Sequence, residues 1–142
     1  MYLAKLTPSQ QDYLTQYRSE QVETVRRVHA YLMEHLDQHI TIEALSKEFL
    51  LNPTTLKEVF KSVYGTSIAA HSKAHRMEAA ARLLQQGELP LAEIAAKVGY
   101  TSQSKFAAAF KEEYSMLPKE YRKQAAARGT GNGEILGIKR KL

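Results

Sequence analysis

The sequence predicts an all-α chain in which two helix-turn-helix subdomains are joined by a long linker helix. Three observations carry that expectation. Alanine, leucine, glutamate, glutamine and lysine dominate, and no alternating run of β-branched residues marks a strand. Capping residues, prolines and glycines punctuate the chain at helix-like intervals. One segment also recurs in recognisable form about 50 residues later.

The elements follow in order. "TPSQQDYLTQYRSEQVETVRRVHAYLMEHL" opens on threonine-proline and spaces Val22, Val25, Val28, Tyr31, Leu32 and Leu36 as one helical face, predicting an amphipathic helix over at least residues 20–36. Residues 1–19 form a linker or an extra helix. Thr41 caps a helix over residues 42–50, and Asn52 followed by Pro53 starts another, with Leu56, Val59, Phe60 and Val63 turned inward and Gly65 as its stop. The first helix-turn-helix subdomain is thus expected at residues 20–66. Ser67 caps a helix that Gly87 ends, the linker of residues 67–87. "LPLAEIAAKVGYTSQSKFAAAFKEEYSMLPKEYRKQ" then supplies a helix, a turn, a second helix and a closing helix after Pro118, giving a second subdomain at residues 88–126. Residues 127–142 read as a basic flexible tail.

The repeat binds these elements into a duplicated unit. Phe60-Lys61-Ser62-Val63-Tyr64 matches Phe110-Lys111-Glu112-Glu113-Tyr114 at a shift of 50, and "IEALSKEFLLNPTT" matches "LAEIAAKVGYTSQS" at a shift of 49. A single one-residue insertion reconciles the two.

Composition narrows the function. The chain has 142 residues and no cysteine, which excludes disulfides, thiolate zinc sites and cysteine nucleophiles. No apolar run approaches the ~18 residues of a membrane span and no signal pattern opens the chain, so no membrane is expected and the expected location is the cytoplasm. The net charge of +5 lies wholly after residue 118: 13 basic and 13 acidic residues precede it, and 7 basic against 2 acidic follow. Bulk charge therefore does not argue for nucleic acid; the placement of cations on helix faces does. No catalytic group and no phosphate loop stands out, so no enzyme and no cofactor is expected. His71 and His75 are four apart, as are His35 and His39 if that helix continues; "HSKAH" and "HLDQH" lack a zinc-protease glutamate, and packing explains them better than a metal.

In a helix-turn-helix unit the second helix is held by the first and enters the major groove of duplex DNA. Opposite the Leu56/Phe60 stripe lie Pro53, Thr54, Lys57, Glu58 and Lys61; opposite Phe106/Phe110 lie Gln103, Ser104, Ala107, Ala108 and Lys111. Thr54, Lys57, Glu58, Gln103, Ser104, Ala107 and Ala108 are the candidates for base readout. Gln103 suits adenine N6 and N7, Glu58 a cytosine amino group, and the alanines only a thymine methyl. Thr55, Lys61, Thr101, Ser102, Lys105, Lys111 and Arg122 are the candidates for phosphate. Each has a plainer alternative: Glu58 pairing with Lys61 or Ser62, the lysines as surface charge, Arg76 and Arg122 pinning helices. Within the linker, a helix over residues 68–86 is 19 residues long, roughly 28 Å at about 1.5 Å per residue, and with the width of the flanking units added the reading helices come near one DNA turn, about 34 Å, apart.

The order of these features resembles the AraC/XylS family of transcription regulators over about residues 20–124. It rests on "GTS" at 65–67, on "HRMEAAARLL" with Arg76, Ala80 and Leu84, and on "LAEIAAKVGY" with Glu93, Ile94, Ala95, Gly99 and Tyr100. "SQSKFAAAFK" with Ser104, Phe106, Phe110 and Lys111 and "PKEYR" with Pro118, Tyr121 and Arg122 complete it. The resemblance implies adjacent major grooves as the target and RNA polymerase as a partner in activation. It also implies an effector-sensing domain in many members, for which this chain has no room beyond its first 20 or so residues. The family's reading helices commonly carry arginine where Glu58 and Ala108 stand here, so a protein-interaction module with weak DNA reading is the alternative. Ile68 stands where proline is frequent, His71 where tyrosine is, and Ser115 where glycine is expected.

Overall fold

The computed structural model describes residues 7–128. The tail beyond Arg128, with its "KRKL", and the first six residues lie outside the described residues. Among the described residues there are seven α-helices and no strand: α1 Pro8–Glu34, α2 Ile42–Phe49, α3 Pro53–Tyr64, α4 Ile68–Gln86, α5 Leu91–Lys97, α6 Gln103–Tyr114 and α7 Pro118–Ala127. None of the described helices is long and apolar enough to cross a membrane.

Local chemistry explains most helix ends. Thr7 opens α1 with a reciprocal cap: its hydroxyl accepts from the Gln10 amide at 3.2 Å while its own amide donates to Gln10 Oε1 at 2.9 Å. The helix therefore begins well before residue 20, and it stops at Glu34, short of residue 36. With the helix ended there, His35 and His39 do not share a helical face. Thr41 caps α2, Asn52 caps α3 through the amides of Thr54 and Thr55, and Ser102 caps α6 through that of Lys105. Gly65 closes α3 at φ +79°, and Ser115 takes the same left-handed position after α6 at φ +63°.

The chain forms two compact units. The first contains α1, α2 and α3, with Val25, Val28, Leu32, Leu45, Leu56, Phe60 and Ile68 as its core. Around Phe60, Tyr64 stacks on His29 with centroids 4.3 Å apart. The second contains α4 from Ala69 onward, α5, α6 and α7, built on Met77, Ala80, Ala81, Leu84, Ile94, Ala95, Val98, Phe106, Ala109, Phe110 and Tyr121. Phe110 stacks on Tyr114 at 4.7 Å and meets Tyr121 edge-on at 5.3 Å, and Gln85 donates to the Tyr121 hydroxyl.

Five residues between α1 and α2, His35–His39, belong to the second unit. Arg76 of α4, 8% exposed, holds them there: its Nε donates to the Leu36 carbonyl at 2.7 Å and an Nη to that of Gln38 at 3.0 Å. The role is structural, and its partner is the segment after α1 rather than a neighbouring helix. Burial draws the guanidinium below its ordinary pKa, and the neighbouring Tyr100 opposes that.

Candidate nucleic-acid interface

Backbone hydrogen bonds locate the insertion in the repeat. Leu51 donates to the Ser46 carbonyl at 3.1 Å and Tyr100 to that of Ala95 at 2.8 Å, the same bond at a shift of 49. The caps Asn52 and Ser102 stand at a shift of 50. The extra residue between them is Thr101, which has no counterpart in the first unit. It falls in the turn, where an added residue disturbs no helical ladder, rather than inside the second reading helix as the bare string match suggests.

Both units consequently present a second helix of 12 residues in one register. On α3, Leu56 and Phe60 are buried while Thr54, Lys57, Glu58 and Lys61 are exposed and Thr55 is half-buried. On α6, Phe106, Ala109 and Phe110 are buried; Gln103, Ser104, Lys105, Ala108 and Lys111 are exposed, and Ala107 is half-buried. Ala109 thus belongs to the core, and its small side chain lets α6 lie close to its neighbours. Thr101 is exposed and Ser102 half-buried at the start of α6.

Arg122 is placed differently. Its Nε and Nη2 are enclosed without a hydrogen-bond partner, and the same is true of Oε1 of Glu113. A phosphate contact through either of these two nitrogens requires them to leave this enclosure.

The turn before α6 is braced by groups that spacing could not bring together. His39 Nε2 lies 2.6 Å from the Gly99 carbonyl, and its ring meets Tyr100 edge-on at 6.0 Å. Asp37, His39, Gly99, Tyr100, Thr101 and Gln103 line one open cleft beside the start of the helix. Burial raises the Tyr100 pKa, while the nearby Arg76 and Lys73 pull it back. Lys73 of α4 pairs with Glu112 of α6, and that hydrogen bond raises the lysine pKa. His71 and His75 lie with ring centroids 4.5 Å apart, and His75 Nδ1 is 3.0 Å from Glu78. The bracing partners His39 and Gly99 are 60 residues apart, and the glycine of "KVGY" is the local sign in the sequence of a constrained turn.

Known proteins share this fold. The family model described as a helix-turn-helix domain matches residues 45–124, more than half of the chain. The HTH-type transcriptional regulator AlkR of Acinetobacter baylyi is 32% identical over 98 residues, which are 69% of this chain and 31% of AlkR. The chain spans about a third of that relative's length. The C-terminal domain of AraT, a response regulator from Geobacillus stearothermophilus, is similar at a TM-score of 0.68 and 37% identity, over 70% of this chain and 84% of that one. The DNA-binding domain of AdpA, a global transcriptional factor solved in complex with a target DNA, superposes at a TM-score of 0.71 over 76% of this chain and 97% of its own, with 24% identity, a likeness of fold.

Proposed function

The chain belongs to the AraC/XylS family of transcription regulators, and from that premise we propose that it binds duplex DNA sequence-specifically and regulates transcription, with its two recognition helices in adjacent major grooves. One observation supports this reading above the others: the same capped 12-residue helix occurs twice, each time with its apolar stripe buried and the opposite face, which includes lysines and short polar side chains, exposed. Such a face matches what a major groove offers, base edges flanked by phosphates.

In this reading Thr54, Lys57 and Glu58 of α3 and Gln103, Ser104, Ala107 and Ala108 of α6 meet base edges. Lys61, Lys105, Lys111, Thr55, Thr101, Ser102 and Arg122 meet phosphates. Activation proceeds through RNA polymerase as protein partner, in the cytoplasm and without catalysis by this chain.

Selection from a random duplex library at two salt concentrations tests the proposal. Enrichment of a bipartite site, with affinity falling steeply as salt rises, is the expected result. A second reading, a protein-interaction module of the same fold, is favoured by Ala107 and Ala108, which offer no hydrogen bond. Capture of RNA polymerase with no enriched DNA would select it.

A further inference from the structure

The shared register of the two recognition helices allows their groove-facing positions to be compared one against one. Lys57 and Glu58 in α3 correspond to Ala107 and Ala108 in α6, each pair the same number of residues from its cap. The first pair offers an exposed ammonium donor and an exposed carboxylate acceptor. The second offers only methyl groups. At the first helical position the contrast reverses: Pro53 has no polar side chain, and the exposed Gln103 has an amide with both donor and acceptor.

Base edges in the major groove sort these chemistries. Guanine O6 and N7 accept from an ammonium, and cytosine N4 donates to a carboxylate; adenine N6 and N7 pair with a glutamine amide, and the thymine C5 methyl is the one apolar group on display. An alanine methyl set against cytosine N4 or guanine O6 takes water from a polar atom and returns no hydrogen bond. Set against a thymine methyl, it removes water from an apolar surface, which is favourable. A carboxylate at Glu58 has its best partner in cytosine N4, a donor that stands apart from its guanine's acceptors, whereas adenine N6 donates directly beside the N7 acceptor and thymine O4 only accepts.

Resting on the DNA-reading function above, we propose that the two units read half-sites of opposite composition. α3 selects G·C pairs through Lys57 and Glu58. α6 selects A·T pairs, with Gln103 on adenine and Ala107 and Ala108 against thymine methyls. The target is then asymmetric in base composition as well as in sequence, and the second half is recognised largely by its methyl groups.

The test begins from the site that the full chain enriches from a random duplex library. One half should be rich in G·C and the other, about one helical turn away, rich in A·T. Deoxyuridine is then placed for thymine in each half in turn, removing the methyl and nothing else. In the A·T half this should weaken binding about fourfold per contacted methyl, the scale of burying one such group; in the G·C half it should change nothing. Ala108→Arg, at an exposed position that tolerates a longer side chain, should abolish the deoxyuridine effect at its base and shift the enriched base to guanine. The double variant Lys57→Ala, Glu58→Ala should erase the G·C preference of the other half. Halves of equal composition, or deoxyuridine without effect in the A·T half, would overturn the inference while leaving DNA binding intact. Failure to enrich any sequence would instead overturn the DNA-reading function on which it rests.

Discussion

The carbonyl oxygen of Asp37 occupies the space in which a side chain on Gly99 would begin: a Cβ there would lie 2.9 Å from it, and the carbonyl carbon 3.1 Å. Gly99 also has φ +91°, a conformation that L side chains rarely adopt. Backbone strain and a clash with backbone therefore add at one residue. Gly99→Ala should destabilise the second unit by about 2 kcal/mol or more. Urea denaturation monitored by circular dichroism measures this, and an unchanged midpoint would show that the 35–39 segment is not held against the turn.

Arg76 answers the two carbonyls of Leu36 and Gln38 with two arms of one planar fork. Arg76→Ala should cost about 2–4 kcal/mol, because both carbonyls lose a charged donor in a buried place. Arg76→Lys should recover little, since a single ammonium cannot reproduce the spread of Nε and Nη. Full recovery by lysine in thermal melts would show that one donor suffices.

Leu50 and Ser115 hold left-handed conformations without being glycine, at φ +54° and +63°. Leu50 is 90% exposed, so replacing it sacrifices almost no packing. Leu50→Gly and Ser115→Gly should each stabilise the protein by about 0.5–1 kcal/mol, with DNA affinity unaltered. Differential scanning calorimetry should register a rise of a few degrees for each; a fall would mean that the residues contribute something their burial does not show.

The lysines assigned to phosphate have a signature of their own. Replacing Lys61, Lys105 or Lys111 by alanine should lower the slope of log affinity against log salt by about 0.9 for each phosphate no longer neutralised, with base preference kept. Gln103→Ala should do the reverse, flattening the preference for adenine at an unchanged slope. Fluorescence anisotropy titrations across a salt series separate the two.

Lys73 and Glu112 tie α4 to α6. The folded-state pKa of Lys73 is raised above 10.5, so its stabilising contribution is fully present below that value and is lost as pH climbs through the raised one. Glu112→Gln should therefore lower stability slightly at pH 7, as expected of a largely exposed pair, and the difference from the parent chain should vanish at strongly alkaline pH. A difference that persists there would assign the effect to packing.

Much of this protein is readable in the chain because the relevant physics is local. Thr41, Asn52 and Ser102 cap helices through amides two or three residues away, Gly65 stops α3 by its own freedom of rotation, and Leu56, Phe60, Phe106 and Phe110 declare a buried stripe by their spacing. The duplication and the face that each second helix exposes follow from the same short-range rules. The tertiary structure decided what depends on residues distant in sequence. It placed His35–His39 in the second unit, turned Arg76 to their carbonyls, seated His39 on Gly99, and enclosed part of the Arg122 guanidinium. It also assigned the inserted residue to Thr101, because hydrogen bonds define register where two similar strings allow several alignments. Caps and stripes are written within one or two helical turns, whereas the bracing of a recognition helix depends on groups 60 residues apart, and only the packing of the folded chain brings those together.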